Sequence, residues 1–227
     1  MYMDPLYLGV MIVSMILAGW ATAKVKGNFA RFSRVRAATG MTGAQVAREI
    51  LRRNNLPDVD VVETRGMLSD HYDPRTRTVR LSPEVYRVPS VAAVAVAAHE
   101  TGHALQHATR YAPLALRSAA VPIARLGSYA PWLIIIGGFW LNMLSLIYAG
   151  VILFAGVVAF QLVTLPVELN ASTRARAQLE RLRLVSTTDS AGVRKVLNAA
   201  AMTYVAAAAT AVLQLLYFVS LLGGRRD

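Results

Sequence analysis

Long apolar runs without a charged residue alternate with polar, basic segments along this chain. The first run, residues 6–23, is 18 residues long. At 1.5 Å per residue, a helix of that length nearly crosses a hydrocarbon core about 30 Å thick. A second run covers 126–167, about twice what one membrane helix needs, and a third covers 199–222. The pattern predicts a membrane protein with about four transmembrane helices.

The second run must turn back on itself, and a cluster of interfacial side chains marks the turn. The cluster comprises Trp140, Asn142, Ser145 and Tyr148. Aromatic residues of this kind concentrate at membrane–water interfaces. We therefore predict a hairpin with limbs near 126–142 and 146–166, which returns the chain to the side that it left.

The segment between the first two runs has the pattern of a small soluble α+β unit. Apolar residues recur at helical spacing within 43–53, and Thr42 directly before them is a good N-cap. Alternating segments at 59–63 and 77–81 predict two short strands, connected through a loop that contains 69–74. We therefore expect a small sheet packed beside helices.

Another helix is predicted to begin after Ser90, which is also a good N-cap. Its first turns, residues 91–98, are entirely apolar, but the stretch between Arg87 and Glu100 is far too short to cross a bilayer. This helix is therefore expected to be buried in the soluble part, with roughly its first two turns in a core.

Composition and charge assign a side to the soluble segments. Apolar residues make up 55% of the chain and the mean hydropathy is positive, which is unusual for a soluble protein. The formal net charge is +11; of 24 Lys and Arg, 16 lie in 24–125 and six in 168–198. Basic blocks beside apolar runs indicate orientation in an anionic membrane rather than nucleic-acid binding, and they place both segments in the cytoplasm. The terminal Arg225 and Arg226 would then lie outside, contrary to the rule that basic residues concentrate on the cytoplasmic side.

The motif His99-Glu100-Thr101-Gly102-His103 lies on the helix predicted after Ser90. Residues four apart share a helix face, so the two imidazoles can reach one metal ion. Glu100 stays outside the ligand shell but close enough to take a proton from a metal-bound water. The motif is typical of half of a catalytic zinc site.

The third ligand of such a site can be approached by elimination. A catalytic zinc takes three protein ligands, and the absence of cysteine leaves nitrogen and oxygen donors. His107 continues the four-residue spacing, but three successive turns of a straight helix do not converge on one ion. Thr109 stands where a metzincin has its third histidine. The hairpin brings Glu168 to the side of the motif, where it is a ligand or an interfacial carboxylate paired with an arginine. Further alternatives are Glu180, Asp189 and His71.

These features divide the chain into five segments. The fold class is a mainly α membrane protein with a cytoplasmic, zincin-like α+β portion that contains a small sheet. The segments are an N-terminal anchor at 1–23, a cytoplasmic part at 24–125, a transmembrane hairpin at 126–167, a cytoplasmic segment with the third ligand at 168–198, and a C-terminal transmembrane helix at 199–227.

Several motifs in combination resemble those of the YugP-like membrane zinc metallopeptidases. They are Asp70-His71-Tyr72-Asp73-Pro74, Val79-Arg80-Leu81-Ser82, the run from Ser90 through His99 to Gln106, and Pro166-Val167-Glu168-Leu169-Asn170-Ala171-Ser172. The resemblance covers nearly the whole chain, and the plan is more distantly similar to the HtpX and CAAX-prenyl-protease group. It implies peptidase activity in a bacterial cytoplasmic membrane, with zinc held by His99, His103 and Glu168 as in a gluzincin. Composition and periodicity alone would reach only a metal-dependent membrane hydrolase.

The implied mechanism uses one Zn²⁺ per chain and Glu100 as the general base and acid. An oxyanion donor besides the metal is expected among His71, Tyr72, Arg174 and Arg176. Asn170 would orient a ligand or cap the local backbone. The strand at 78–81 would pair with an extended substrate. The expected partners are the lipid bilayer and a peptide or membrane-protein substrate, with no nucleic acid.

Three functions from different classes remain in view. The first is a membrane-anchored zinc endopeptidase that acts at or near the cytoplasmic face. The second is a non-proteolytic, zinc-containing membrane scaffold or quality-control partner, which would have no use for Glu100. The third is a transporter or channel component with histidines in a polar cavity, although neither His99 nor His103 falls within a predicted span.

Overall fold

The structure is a computed structural model that describes residues 4–127 and 129–223. The two terminal arginines, Arg225 and Arg226, therefore lie outside the described residues. Within these ranges the chain forms α1 Pro5–Ser33, α2 Gly43–Arg53, β1 Asp60–Glu63, β2 His71–Asp73, β3 Thr78–Leu81, α3 Pro83–Arg87, α4 Val91–Ala108, α5 Ala112–Gly127, α6 Ala130–Trp140, α7 Leu144–Arg181 and α8 Thr187–Gly223. The prediction of a mainly helical protein with a small sheet is confirmed.

Three of the described helices, α1, α7 and α8, are long and apolar enough to cross a membrane. Together with α6 they form a bundle whose core contains Ile147, Phe154 and Phe218. At one end of this bundle the Tyr217 hydroxyl donates a hydrogen bond to Asp4 at 3.0 Å. The start of α1 and the end of α8 therefore lie on the same side.

The structure differs from the prediction in the first limb of the hairpin. Instead of one helix over 126–142, α5 ends at Gly127 and α6 begins at Ala130. Pro131 stands in the first turn of α6, where a missing N–H costs no helical hydrogen bond. With 11 residues, α6 is roughly 16 Å long, shorter than a span. The predicted turn is confirmed between Trp140 and Leu144.

The predicted start of α2 is confirmed in atomic detail. The Thr42 hydroxyl accepts a hydrogen bond from the Gln45 N–H at 3.3 Å, and the Gln45 side chain accepts one from the Thr42 N–H at 2.9 Å. This reciprocal capping box satisfies two donors at the helix start. The apolar face of α2, including Val46 and Ile50, is fully buried against α4.

The sheet contains one strand more than predicted. Its order is β1-β3-β2, with β1 parallel and β2 antiparallel to β3. The loop predicted around 69–74 thus contains β2, an edge strand whose three residues are too few to show alternation. Because β3 has a neighbour on each side, the predicted pairing of 78–81 with a substrate is wrong, and β1 and β2 hold the two edges.

Helix α4 connects the soluble core with the long helices. Its predicted N-cap is confirmed, since the Ser90 hydroxyl accepts a hydrogen bond from the Ala93 N–H at 3.1 Å. The first two turns, Val91–Ala98, are almost entirely buried. One face of these turns packs on the sheet and another on α7 and α8.

Substitution of Gly43 should test how tightly α2 packs on α4. A Cβ at Gly43 would overlap the Val85 carbonyl oxygen and lie 2.9 Å from the Ala93 carbonyl oxygen. We expect Gly43→Ala to lower the free energy of unfolding by about 1–3 kcal/mol, since both obstacles are backbone. Gly27→Ala in α1, where nothing lies within 4 Å, is the matched control. Equal melting temperatures for the two purified variants would contradict this packing.

Candidate metal centre

The candidate site forms where α4 and α7 approach unusually closely. A Cβ at Gly102 would lie 2.5 Å from the carbonyl oxygen of Ala171. Only a residue without a side chain permits this distance between the two helix backbones. The contact brings His99 and His103 on α4 opposite Glu168 on α7.

The three predicted ligands lie together. One ligand atom from each of His99, His103 and Glu168 can be chosen so that all lie within 4.8 Å of one another. Glu168 Oε2 is 3.2 Å from His99 Nε2 and 3.6 Å from His103 Nε2. The two imidazole rings stand edge to face, at an interplanar angle of 85°.

The separations of Glu168 Oε2 from the two imidazole nitrogens fit a tetrahedral ion. Two atoms that each lie about 2.0–2.1 Å from a zinc ion at the tetrahedral angle are roughly 3.3 Å apart. The donors are two imidazole nitrogens and one carboxylate oxygen, a ligand set found in catalytic zinc sites. Glu168 is only 1% exposed, and burial of a carboxylate so deep requires a cationic partner. The residues present therefore fit a zinc ion.

The two oxygens of Glu168 face different partners. Oε2 faces the histidines, whereas Oε1 lies 2.8 Å from Arg117 Nη1 on α5, a distance typical of an ion pair. The angles at this contact do not make a well-formed hydrogen bond, and Oε1 is otherwise without one. Both interpretations of Glu168 from the sequence, metal ligand and arginine-paired carboxylate, are thus compatible with one geometry.

Glu100 is held beside this cluster in a buried position. Burial raises the pKa of its carboxyl from the ordinary 4.5 to about 7. The neighbouring carboxylates of Glu168 and Asp70 act in the same direction, whereas His99 and a hydrogen bond from the Tyr72 backbone N–H oppose it. A carboxyl group with a pKa near neutrality can both accept and donate a proton at physiological pH.

A cavity of about 570 Å³ gives access to the cluster. Its walls come from β2, α4, α5, α7 and α8, and they include His71, Arg117 and Tyr204 besides the three clustered residues. His71 is exposed, and its Nδ1 lies 2.8 Å from the Ser69 carbonyl oxygen. Of the predicted oxyanion donors, the structure places His71 and Tyr72 along this cavity.

Other residues considered from the sequence have partners elsewhere. Arg174 donates from Nε to Asn170 Oδ1 at 2.8 Å and lies over the Tyr111 ring, and it does not line the cavity. His107 Nδ1 is 2.8 Å from the Tyr72 hydroxyl. Hydrogen bonds to other parts of the chain also occupy the two remaining acids, Glu180 with Ser190 and Asp189 with Ala38.

Two residues of the cavity wall, Arg117 and Tyr204, were not identified from the sequence. Each has a faint signal. Arg117 is an isolated charge in the apolar segment 112–121, and Tyr204 interrupts the alanine-rich start of the last apolar run. Neither signal indicates a partner, because Arg117 and Glu168 meet only when α5 packs on α7.

Comparisons with known proteins agree with this geometry. A family model described as "Putative neutral zinc metallopeptidase" matches residues 7–223. A protein of Bacillus subtilis (strain 168) named "Putative membrane protease YugP" is 47% identical over 222 residues, which cover 98% of this chain and 99% of that protein. No solved structure matches the chain.

Gly102→Ala should separate the two halves of the cluster. A methyl group 2.5 Å from the Ala171 carbonyl oxygen forces α4 and α7 apart, because neither backbone can yield locally. We expect a loss of about 1–3 kcal/mol in the free energy of unfolding and weaker zinc binding. Gly156→Ala on α7, where nothing lies within 4 Å, is the control. Thermal unfolding and zinc titration of Gly102→Ala that match the wild type would refute the close contact.

Proposed function

Because this chain belongs to the family of neutral zinc metallopeptidases, we propose that it is a membrane-anchored endopeptidase that cleaves peptide bonds near the cytoplasmic face of the membrane. The observation that carries the proposal is the convergence of His99, His103 and Glu168 beside the buried Glu100. The proposed substrates are extended peptides or exposed segments of membrane proteins. The similar protein from Bacillus subtilis is itself named a membrane protease.

In the proposed site, His99, His103 and Glu168 would hold one Zn²⁺, with imidazole nitrogens and a carboxylate oxygen as its donors. When bound, zinc supplies Lewis acidity, which lowers the pKa of a water molecule and polarises the scissile carbonyl group. The chain's own groups provide the remaining steps. Arg117 lies against Oε1 of Glu168, which leaves Oε2 facing the two histidines.

Glu100 is the proposed proton carrier. Its carboxylate accepts a proton from the attacking water and then donates that proton to the leaving amide nitrogen, so that the C–N bond breaks to release an amine. Burial raises the pKa of this carboxyl group above its ordinary value, which strengthens it as a proton acceptor. His99 and the Tyr72 backbone N–H favour the ionised form and so limit the rise of this pKa.

A donor to the carbonyl oxygen completes the proposal. His71 lines the cavity from β2 and is the donor that we favour among the residues considered from the sequence. Arg174, another of the predicted candidates, is engaged by Asn170 and Tyr111, so a direct contact with substrate would require a new side-chain conformation.

The edge strand β2 offers a way to bind an extended substrate. It pairs with β3 on one side only, and His71–Asp73 line the cavity. A peptide that adds to this free edge would present its backbone carbonyl groups toward the cluster. We therefore propose that β2, instead of the strand at 78–81, pairs with an extended substrate.

The proposed topology has the N-terminus outside and the metal centre inside. The anchor at 1–23, the hairpin at 126–167 and the helix at 199–227 are embedded, and the segments 24–125 and 168–198 are cytoplasmic. The basic residues of the last two segments support this orientation. In this scheme α6, although short, approaches the outer face as part of the first limb of the hairpin.

The alternative is a non-proteolytic membrane scaffold that keeps zinc for stability. A structural zinc site is normally closed by four protein ligands and has no role for a buried carboxyl group with a pKa near 7. Here three ligand candidates face an accessible cavity of about 570 Å³. This geometry favours the endopeptidase.

Substitutions at Glu100 and Glu168 should separate catalysis from metal binding. We expect Glu100→Gln to bind zinc like the wild type but to cleave an unfolded, fluorophore-labelled substrate protein at least about 100-fold more slowly, since its amide cannot accept a proton. Glu168→Ala should lose zinc affinity, whereas Glu180→Ala on the same helix should keep both properties. Zinc content and initial cleavage rates give the readouts. Equal cleavage by wild type and Glu100→Gln would exclude the endopeptidase mechanism.

The absence of cysteine makes the topology directly testable. Glu84→Cys lies in α3 of the soluble unit, and Leu141→Cys lies in the turn between α6 and α7; both positions are exposed. We expect a membrane-impermeant maleimide to label Leu141→Cys in intact cells and Glu84→Cys only after permeabilisation. Wild type provides the background. The reverse labelling pattern would invert the proposed orientation.

A further inference from the structure

Gln106 makes three polar contacts although it is completely buried. It stands three residues after His103 on the same face of α4, and its Oε1 lies 3.0 Å from His103 Nδ1. Its Nε2 lies 2.7 Å from the Val167 carbonyl oxygen and 3.0 Å from Asn170 Oδ1, both on α7. The side chain therefore connects one proposed zinc ligand with the helix that carries another.

The orientation of the Gln106 amide follows from the chemistry of its partners. A backbone carbonyl oxygen can only accept hydrogen bonds, so the Gln106 atom that faces Val167 must be the amino group. The reverse orientation would place two acceptor oxygens 2.7 Å apart in a site without exposed surface. The amide oxygen therefore faces His103.

A second constraint comes from the far end of the network. The guanidinium of Arg174 has donors and no acceptor, and its Nε lies 2.8 Å from Asn170 Oδ1. The Asn170 atom at that position is therefore its oxygen, which also accepts from the Gln106 amino group. Arg174 is in turn held over the Tyr111 ring. The Val167 carbonyl group can only accept and the Arg174 guanidinium can only donate. Together they determine the donor and the acceptor in each hydrogen bond of the network.

We infer that Gln106, oriented by the Val167 carbonyl group and supported by Asn170 and Arg174, is a positioning residue that fixes the tautomer of His103. Because the Gln106 oxygen can only accept, the His103 proton resides on Nδ1. The lone pair is then on Nε2, the atom that lies 3.6 Å from Glu168 Oε2. The inference rests on the proposed zinc site, and it assigns Arg174 a supporting role instead of contact with substrate.

His99 provides a contrast within the same site. Its Nδ1 lies 3.1 Å from the Ser172 hydroxyl, a group that can donate or accept. That contact orients the ring without determining the tautomer. Of the contacts made by the two Nδ1 atoms, only that between His103 and Gln106 is directional. Through Val167 the same Gln106 side chain also holds the backbone next to Glu168. Gln106 thus sets one ligand and the position of another.

The test combines zinc affinity with the protonation of His103. Gln106→Leu keeps the approximate volume and removes the acceptor. We expect zinc affinity, measured by competition with a chromophoric chelator, to fall about 10- to 100-fold. In metal-free wild type with ¹⁵N-labelled histidine, NMR should show His103 protonated at Nδ1, whereas in Gln106→Leu the proton should move to Nε2, which faces Glu168. Gln178→Leu on α7, which contacts Asn54 and Arg181, is the matched control and should change neither value.

A second pair of variants keeps the test decisive if Gln106→Leu does not fold. Asn170→Asp preserves an acceptor for both Gln106 and Arg174, so it should retain zinc affinity. Asn170→Leu removes that acceptor and should weaken zinc binding at an unchanged melting temperature. Equal zinc affinity in the two Asn170 variants, or wild-type affinity and tautomer in Gln106→Leu, would overturn the inference. A wild type that binds no zinc would instead refute the proposed function itself.

Discussion

The close contact between α4 and α7 at Gly102 is the constraint on which the site depends. The clustered side chains come from positions more than 60 residues apart, and they meet because a carbonyl group of one helix rests where the other has no side chain. Apolar packing on several faces of α4 leaves this helix little freedom to move. Protein interiors transmit such local displacements, so the geometry of the cluster depends on the position of a whole helix.

Helix α7 extends this constraint into the bundle of long apolar helices. Residues 144–167 are uncharged, and Glu168 follows immediately on the same continuous helix. The apolar half of α7 packs on α6 and α8, while the polar half packs on the soluble core. Any tilt of α7 in the bundle therefore moves Glu168 relative to His99 and His103. The α+β unit and the bundle of long apolar helices therefore share α7 at the site.

The local features were predictable from the sequence, and the long-range ones were not. Thr42 and Ser90 indicate helix starts, because capping depends only on residues close in sequence. The spacing of His99 and His103 likewise places both on one helix face. Three-residue β2 has no pattern that distinguishes a strand from a loop. The break before Ala130 was not predicted, because an uncharged run indicates that a segment is apolar but does not indicate where a helix within it ends.

The same distinction applies to the polar groups of the site. The distribution of charges predicted that Glu168 returns to the side of the motif. Both ends of a transmembrane hairpin emerge on the same side, wherever the turn between its helices lies. Nothing local shows that Arg117 contacts Glu168 or that Gln106 reaches α7, since both contacts arise from packing between distant segments. Gln106 is the last residue of the run from Ser90 that carries the family resemblance. Its inferred role depends on the Val167 carbonyl oxygen on α7, which the sequence does not place beside it.

The charges around the cavity explain why a divalent cation fits there. Glu100 and Glu168 are buried carboxyl groups on facing helices, and Asp70, whose pKa is raised by burial, lies nearby. Arg117 faces one oxygen of Glu168, and the other oxygen faces the two imidazole rings. Buried negative charge is costly without compensation, and a divalent cation beside that oxygen would stabilise Glu168 directly and Glu100 at longer range. A cation held by His99, His103 and Glu168 would therefore also lower the proton affinity of the Glu100 carboxyl group.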